Sequence, residues 1–365
     1  MAFKYREYIA PNFREKKFTS APSCTLVDVN SDGLAPDNFH SLSIYPEYFK
    51  IDGKWMLLEE SRMDAIPTLR NGKLYAVEPR NLRMGDKVVV GRTEDCEEGI
   101  YMHANGFVSE IQDSGDTFAF RTGRSRETSF SKDFDELAEL LKHEKKHGKV
   151  VWVLGPAFAF DLTARKALAA LIDNGYVDAI LAGNALATHD LEGALLGTAL
   201  GTDIRKQVNV HNGHYNHLET INQVRRSGSI AEFIKEHKIK EGIMAAAVRN
   251  NVPFVLTSSI RDDGPLPDVI HDAYEGQARM REHVSGATTV IALATMLHSI
   301  ATGNMTPSFR VMPDGTVREV YFYICDAAEF VINKAADRGS LSAKGIVTNV
   351  QDFITNVADR LGLEY

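Results

Sequence analysis

The sequence has few cysteines, no long apolar run and no concentrated block of basic residues. Its three cysteines share no spacing typical of a metal site, and so low a number suits a reducing compartment. No stretch approaches the ~20 apolar residues that cross a bilayer, and the first residues lack the apolar core of a signal peptide. The formal net charge of −8 argues against nucleic-acid and anionic-membrane partners. We therefore expect a cytoplasmic globular protein.

The sequence motifs that usually bind nucleotide phosphates are also missing. Neither the G-x-G-x-x-G dinucleotide motif nor a Walker-type loop occurs. The turn after the first apolar strand of the C-terminal part reads LGPAFAFDLTARK, where a phosphate-binding turn would normally have several glycines. The pyrophosphate of a dinucleotide cofactor would therefore be bound mainly by other segments.

What the chain does contain is a change of pattern near residue 130. Residues 1–33 are polar and irregular, which predicts a loosely attached arm. Residues 34–130 show short alternating runs between Gly, Asp and Asn turns, which predicts a smaller, mostly antiparallel β domain. Residues 131–365 alternate apolar strands with helical segments. This predicts an α/β fold class with a doubly wound, Rossmann-like, mostly parallel sheet.

The bounds of the predicted elements of the C-terminal part follow from hydrophobic periodicity. After a helix that ends near Gly148, the predicted strands are 149–155, 176–183, 252–259, 288–295, 319–326 and 345–350, and the predicted helices include 163–174, 218–226, 230–237, 269–284, 328–336 and 351–361.

The stretch VPFVLTSSIRDDGPLPD, residues 252–268, joins a buried strand to a charged loop that two prolines stiffen. Ligands of an open α/β sheet bind beyond the carboxyl ends of its strands. Arg261, Asp262 and Asp263 are therefore predicted to lie where chemistry occurs. An ordinary solvated charged turn would have the same composition and remains the alternative.

Polar residues also follow other predicted strands. Asn184 and Ala185 begin the segment after the second strand, and ATMLHSIATGN, which holds His298, follows the fourth. A histidine at a strand end can position a ligand or shuttle a proton near neutral pH. Asp326, at the end of the fifth strand, could bind the ribose hydroxyls of NAD. Helix caps and a structural histidine are the alternatives.

Three histidines, His211, His214 and His217, recur at every third position in one segment. No cysteine lies nearby, the segment contains glycine, and no two-histidine-plus-carboxylate motif is apparent, so we predict no metal here. A polar loop that faces the substrate, or a structural hydrogen-bond cluster, is favoured instead.

Several long motifs run from about Ala35 to the C-terminus in a fixed order. They are APDNFHSLSIYP, SRMDA, GYVDAILAGNALATHDLE, GTALG, VPFVL with SIRDDGPLPD, TMLHSIATGN, ADRGS and GIVTNV. In these motifs the chain resembles the NAD-dependent ornithine cyclodeaminases of archaea and the cyclodeaminase half of cyanobacterial arginine dihydrolase/ornithine cyclodeaminases. The same family is also described as the conserved region of lysine-oxoglutarate reductase/saccharopine dehydrogenases (LOR/SDH).

The resemblance implies a specific chemistry. NAD takes a hydride from the α-carbon of L-ornithine, the δ-amine attacks the imine, ammonia leaves, and the returning hydride gives L-proline. It implies an amino-acid substrate, and a homo-oligomer is the default expectation for such an enzyme. The predicted site residues are Arg261, Asp262, Asp263 and His298 for catalysis, Asn184, Ala185, Asp263, Thr295, Met296, Leu297, His298, Asn304 and Asp326 for NAD, and His214, His217 and Glu127 for the substrate.

The chain also departs from the family at four places. The family's His-Thr-Gly-Gly turn is replaced by AFDLTARK, its Tyr-Glu-Cys by residues 245–247, and the residues after Asp326 and at 125–128 differ as well. Losing polar groups changes what a pocket can pair with. An NAD-dependent amino-acid dehydrogenase or imine reductase with another substrate, and an inactive relative that binds a metabolite or nucleotide, are therefore the alternatives.

Overall fold

The computed structural model describes residues 3–108, 131–262, 264–336 and 340–365. The predictions for Asp263 and for Glu127 fall outside these residues. Within the described ranges, no helix combines the length and the apolar composition that crossing a bilayer requires.

An antiparallel β unit forms the N-terminal part, as the alternating pattern predicted. Its strands are β1 (Thr25–Asp28), β2 (Glu47–Ile51), β3 (Lys54–Leu57), β4 (Ile66–Arg70), β5 (Lys73–Val77), β6 (Lys87–Val90) and β7 (Ile100–Met102). They form a four-stranded sheet in the order β1-β6-β4-β5 and a three-stranded sheet in the order β3-β2-β7. Phe49, Leu58, Val89 and Ile100 are buried between the strands and form the core of this unit.

The first 33 residues are packed more closely than the sequence predicted. Strand β1 lies within them and pairs with β6. Phe18 is only 2% exposed. The Arg6 guanidinium forms an ion pair with the buried Glu319 of the C-terminal part. The sequence did not reveal these contacts because the burial of Phe18 and the Arg6–Glu319 pair each depend on single side chains, and the four-residue strand β1 is too short to show a period.

A seven-stranded sheet organises the C-terminal part. The strands here are β8 (Val150–Leu154), β9 (Ala179–Gly183), β10 (Thr198–Ala199), β11 (Thr202–Asp203), β12 (Phe254–Thr257), β13 (Val269–Ile270), β14 (Thr289–Leu293), β15 (Phe309–Val311), β16 (Val317–Glu319), β17 (Tyr321–Asp326) and β18 (Ser342–Val347). The sheet order is β13-β12-β9-β8-β14-β17-β18, and all its pairs are parallel. This confirms the predicted doubly wound fold.

Helices cover both faces of this sheet, and a separate apolar cluster fills each face. The short helix α1 (Lys16–Thr19) lies in the N-terminal part. The helices of the C-terminal part are α2 (Ser131–His147), α3 (Leu162–Asp173), α4 (Asn184–Leu196), α5 (His214–Ser227), α6 (Ile230–Glu236), α7 (Ile243–Arg249), α8 (Ala273–Val284), α9 (Met296–Met305), α10 (Glu329–Ala336) and α11 (Val350–Arg360). Strands β8 and β14 are buried along their whole length, as expected for parallel strands between two helical layers.

Several elements differ from their predictions. Helices α4, α7 and α9 were not anticipated, and residues 269–270 form strand β13 instead of the start of a helix. Helix α5 begins at His214, so the segment predicted as a polar loop is largely helical. Nine residues of α4 are buried. A helix that is buried on most sides lacks the one-sided apolar stripe by which helices are recognised.

The strand order reverses between β8 and β14, which places the topological switch point there. At this point the Gly155 N–H donates to the Leu293 carbonyl at 2.8 Å. A Cβ atom on residue 155 would lie 2.0 Å from the Ala294 carbonyl oxygen, so only glycine fits. Ala294 itself has φ 52°, a left-handed conformation that is uncommon for alanine. The carboxyl ends of β8 and β14 are thus held together at the edge where ligands of such sheets bind.

The β unit packs on α8. The Arg80 guanidinium lies 4.6 Å from the centre of the Tyr274 ring and donates to Gln277. The Glu78 carboxylate accepts from Arg62 and from Arg281. The two parts of the chain are therefore joined by charged and aromatic contacts.

Candidate functional site at the strand ends

Three residues that end or follow different strands meet at the carboxyl edge of the sheet. The Oγ1 atom of Thr257, the last residue of β12, lies 3.1 Å from the Nε2 atom of His298. His298 is on the first turn of α9, which follows β14. A Cβ atom on Gly183, the last residue of β9, would lie 3.2 Å from the His298 Cε1 atom. Glycine at this position leaves room for the imidazole.

Burial controls the protonation of His298. Its surroundings lower the pKa of the imidazole below its ordinary value because burial disfavours the charged form, and the nearby Asp262 carboxylate opposes this effect only in part. His298 is therefore neutral at neutral pH. A neutral imidazole held by one hydroxyl group can accept a proton from a ligand.

The Arg261–Asp262 loop is held in place by its own hydrogen bonds and by Asn184. The Ser259 N–H donates to the Asp262 carboxylate at 2.8 Å, and the Arg261 N–H donates to the Ser259 hydroxyl at 3.2 Å. Further along, the Leu266 N–H donates to the buried Asn184 carboxamide oxygen at 3.0 Å. Asn184, predicted to contact a cofactor, thus also attaches the start of α4 to this loop.

Two helices begin at this edge without side-chain caps. Gly183, which has no side chain, precedes α4, and Thr295, whose hydroxyl accepts no hydrogen bond from its helix, precedes α9. The first N–H groups of a helix have no partner within the helix and favour anions. Ile260, Met296 and Leu297 expose apolar side chains on segments that end at the same edge. The edge thus offers donors for anionic groups beside an apolar surface.

Two predicted cofactor residues lie further from this centre. Asp326 ends β17, and its carboxylate accepts a hydrogen bond from the Ala328 N–H at 2.8 Å, which begins the turn into α10. Asn304 is in the last turn of α9, where it lines a cavity of about 320 Å³ together with Arg62 and Gln277. Asn304 is six positions after His298 on α9, or about 9 Å along the helix axis.

The predicted substrate histidines lie on α5. His214 is exposed, whereas His217 is partly buried and its ring lies 5.1 Å from that of His189 on α4. Glu192 lies in the same cluster. Sequence reasoning did not single out Glu192 because its partner His217 lies far along the chain. It also missed Thr257, although the hydroxylated end of that strand was a usable signal.

Comparison with known proteins identifies the family. A family model described as "Arginine dihydrolase ArgZ-like, C-terminal, Rossmann fold" matches residues 135–357. The ornithine cyclodeaminase of Archaeoglobus fulgidus is 38% identical over 346 residues, which cover 94% of this chain and 78% of that protein. This chain belongs to the ornithine cyclodeaminase family.

Two solved structures of the family resemble the whole described fold. A conserved LOR/SDH protein from Methanococcus maripaludis superimposes with a TM-score of 0.83 at 33% identity, over 93% of this chain and 98% of that one. The ternary complex of AgrE with ornithine and NAD⁺ gives a TM-score of 0.59 at 35% identity, over 94% of this chain and 46% of AgrE. A protein of that name from Nostoc sp. is a bifunctional arginine dihydrolase/ornithine cyclodeaminase.

The structure locates this family member's departures. The segment that replaces the His-Thr-Gly-Gly turn forms a short 3₁₀ helix, Pro156–Phe160, with the Phe158 side chain fully buried, and then Asp161 caps α3. The alanines at 245–247, which stand where the family has Tyr-Glu-Cys, are buried within α7 and not at a strand end. This departure therefore affects helix packing. The departure at residues 125–128 falls outside the described residues.

Proposed function

We propose that this chain is an NAD-dependent ornithine cyclodeaminase, which converts L-ornithine into L-proline and ammonia. The relatives named above support the reaction class, and the AgrE complex supports ornithine and NAD as its ligands. The observation that carries the proposal is the pairing of Thr257 with a neutral His298 at the carboxyl edge of the sheet.

The residues present suit a dinucleotide. The uncapped N-termini of α4 and α9 offer N–H groups to phosphates, and Asp326 ends the strand next to β14, where it would face a ribose. Bound NAD supplies a hydride acceptor for the α-carbon and returns the hydride later, so the reaction has no net redox change. The 3₁₀ helix after β8 leaves the phosphates to these helix ends.

The side chains at the edge have distinct proposed roles. The neutral His298 accepts a proton from the substrate ammonium, which must be deprotonated before its α-carbon gives up a hydride. Thr257 orients the imidazole through its hydroxyl. The exposed Arg261 binds the substrate carboxylate. Asp262, or Asp263 outside the described residues, takes up and returns the protons of the substrate amines.

The test begins with denaturing the purified protein and identifying any released nucleotide by mass spectrometry. Fresh protein is then incubated with L-ornithine, and proline, ammonia and NADH absorbance are measured. The proposal requires that the denatured protein releases NAD. It also requires that proline and ammonia form in equal amounts and that NADH does not accumulate. Release of NAD without proline would contradict ornithine as the substrate.

A related NAD-dependent oxidoreductase with another amino acid is the second candidate. The replaced turn after β8 favours it, because Phe158 and the Asp161 cap occupy the position of the family's polar turn. Such an enzyme would accumulate NADH when NAD and its amino acid are added. The cyclodeaminase would not.

We also propose that the protein works in the cytoplasm as a homo-oligomer. Its composition supports the first statement. The second is supported by exposed apolar side chains on α4, on α5 and on the segment between them, namely Leu196, Leu200, Val208, Tyr215 and Leu218. Apolar side chains grouped on a surface commonly mark an interface. Light scattering coupled to size-exclusion chromatography measures the mass of the particle in solution. The double variant Leu200→Glu/Tyr215→Glu should have a lower mass than the wild type.

A further inference from the structure

A cluster of three side chains that can bind a metal lies on α4 and α5 and shares no residue with the Thr257–His298 pair. His189 and Glu192 are three residues apart on α4, and His217 is on the first turns of α5. One potential ligand atom from each of the three lies within 4.8 Å of the others. The strand-end proposal gives no role to His189 or Glu192.

The distance between His189 and Glu192 is longer than that of an ordinary hydrogen bond. The His189 Nδ1 atom lies 3.6 Å from the Glu192 Oε2 atom, which is too long for a good hydrogen bond. Two ligands of a tetrahedral Zn²⁺ with bonds of about 2.1 Å lie about 3.4 Å apart. The observed separation is therefore close to what two ligands of one ion would have.

The His189 imidazole is buried, and no hydrogen-bond partner of its Nδ1 atom lies among the residues that the structure describes. Its side chain is 9% exposed, and the centre of the Phe160 ring lies 5.3 Å from the centre of the imidazole. Buried polar atoms without partners are uncommon because each loses its hydration. A metal ion beside Nδ1 would supply the missing interaction.

The Glu192 carboxylate is already oriented by its neighbours. Its Oε1 atom accepts from the Thr198 hydroxyl at 2.8 Å and from the Gly201 N–H at 2.9 Å, and its Oε2 atom accepts from the Leu200 N–H at 2.8 Å. Oε2 therefore keeps one lone pair free toward His189. Hydrogen bonds of this kind fix the carboxylate ligands of known metal sites.

We propose that His189, Glu192 and His217 bind one divalent transition-metal ion of the zinc class, with water completing its coordination. Two imidazoles and one carboxylate favour Zn²⁺ over Mg²⁺ or Ca²⁺, which prefer oxygen ligands alone. The ion would join α4 to α5 and to the turn after β10. This inference does not depend on the proposed cyclodeaminase activity.

The sequence could not reveal this site. It prompted the prediction that the histidines of the segment from His211 to His217 bind no metal, because no carboxylate motif was apparent there. The carboxylate comes from another helix, and only the packing of α4 against α5 brings it near.

The experiment measures metal binding directly. The chelator-treated full-length protein is titrated with Co²⁺, followed by its visible absorption bands, and with Zn²⁺ in competition, and bound metal is counted by mass spectrometry. The variants are His189→Gln and His217→Gln. His214→Gln is the matched control, because His214 is on the same helix turn but exposed and outside the cluster.

We expect the wild type and His214→Gln to bind one equivalent of metal. Both cluster variants should bind it at least ~100-fold more weakly, because the loss of a residue that only hydrogen-bonds to a metal ligand already weakens binding 10- to 100-fold. Zn²⁺ should raise the melting temperature of the wild type and not that of His217→Gln. Circular dichroism verifies folding, and the partly exposed His217 makes its variant the safer one. No binding by the wild type, or equal binding by the variants, would overturn the proposal and leave only a histidine–carboxylate contact.

Discussion

The chemistry of His298 depends on its burial and on one neighbouring hydroxyl group. Thr257 Oγ1 lies 3.1 Å from Nε2, and the two residues come from different strand ends. A side chain in this position acts through the imidazole and not on a ligand. Its removal should therefore affect the orientation of His298 more than the binding of substrate.

Thr257→Val keeps the shape of the side chain and removes the hydroxyl. We expect kcat for proline formation to fall about 10- to 100-fold, below the full contribution of a general base, with little change in KM. Steady-state kinetics measures both constants. Thr257→Ser retains a hydroxyl and should keep most of the activity, and a fully active Thr257→Val would show that the contact has no catalytic role.

The pH dependence of the reaction should follow the lowered pKa of His298. An imidazole with a lowered pKa stays neutral until the pH falls below the ordinary pKa of histidine. The value of kcat/KM should therefore decline only on the acid side of about 6.5. Because Asp262 raises this pKa, Asp262→Asn should lower it further. NMR titration of the His298 ring protons checks the shift, and a shift to higher pH in the variant would contradict the assignment.

The sequence identified a useful part of the site at this scale. The runs around Asp262 and His298 stood out because charged and hydroxylated residues followed apolar strands, and the structure brings both to one edge. Thr257 and Glu192 escaped notice because their partners, His298 and His217, are distant in sequence. The roles of Asp263 and Glu127 remain predictions.

Among the helices, α3, α4 and α7 are joined by one buried ion pair. The Arg165 Nε–H donates to an Asp190 carboxylate oxygen at 2.8 Å, and the other oxygen accepts from the Met244 N–H at 2.8 Å. Arg165 is 3% exposed and Asp190 is fully buried. Removing one member of such a pair leaves an unpaired buried charge.

Asp190→Asn should therefore reduce the free energy of unfolding by about 3–5 kcal/mol, as measured by urea denaturation. The control is the exposed ion pair of Arg249 with Asp173, whose side chains are 46% and 39% accessible. Arg249→Ala should reduce stability by less than about 1 kcal/mol. Similar losses in the two variants would show that burial of the Arg165–Asp190 pair is not decisive.

Whether the sequence revealed a strand or helix depended on how that element is buried and on its length. Short, fully apolar strands such as β8 and β14 stood out because buried parallel strands need uninterrupted apolar residues. Helix α4 did not, since it is buried on most sides, and seven-residue α7 was too short to establish a period. Strand β13 has only two residues and was absorbed into the predicted helix that follows it.

At the scale of the whole molecule, cofactor binding should stabilise the fold. NAD contacts would involve the ends of β9, β14 and β17, which lie in one sheet. After removal of any bound nucleotide, NAD at a hundredfold excess over Kd should add about 2.7 kcal/mol. That corresponds to a rise of a few degrees in the melting temperature.

Differential scanning fluorimetry measures this rise. ATP is the control ligand, since it has an adenosine and phosphates but no nicotinamide, and it should cause a smaller shift. An unchanged melting temperature with NAD would contradict the cofactor assignment without bearing on the metal site.

The central position of β14 has a consequence for the newly synthesised chain. In the finished sheet β14 lies between β8 and β17, and every residue of β8 is at most 1% exposed. Until the ribosome has released residues 289–293, the side of β8 that β14 will pair with is an open apolar edge that other chains can join. Ribosome stalling in the preceding segment should therefore lead to aggregation or chaperone capture of the nascent protein, even though the completed sheet hides this edge.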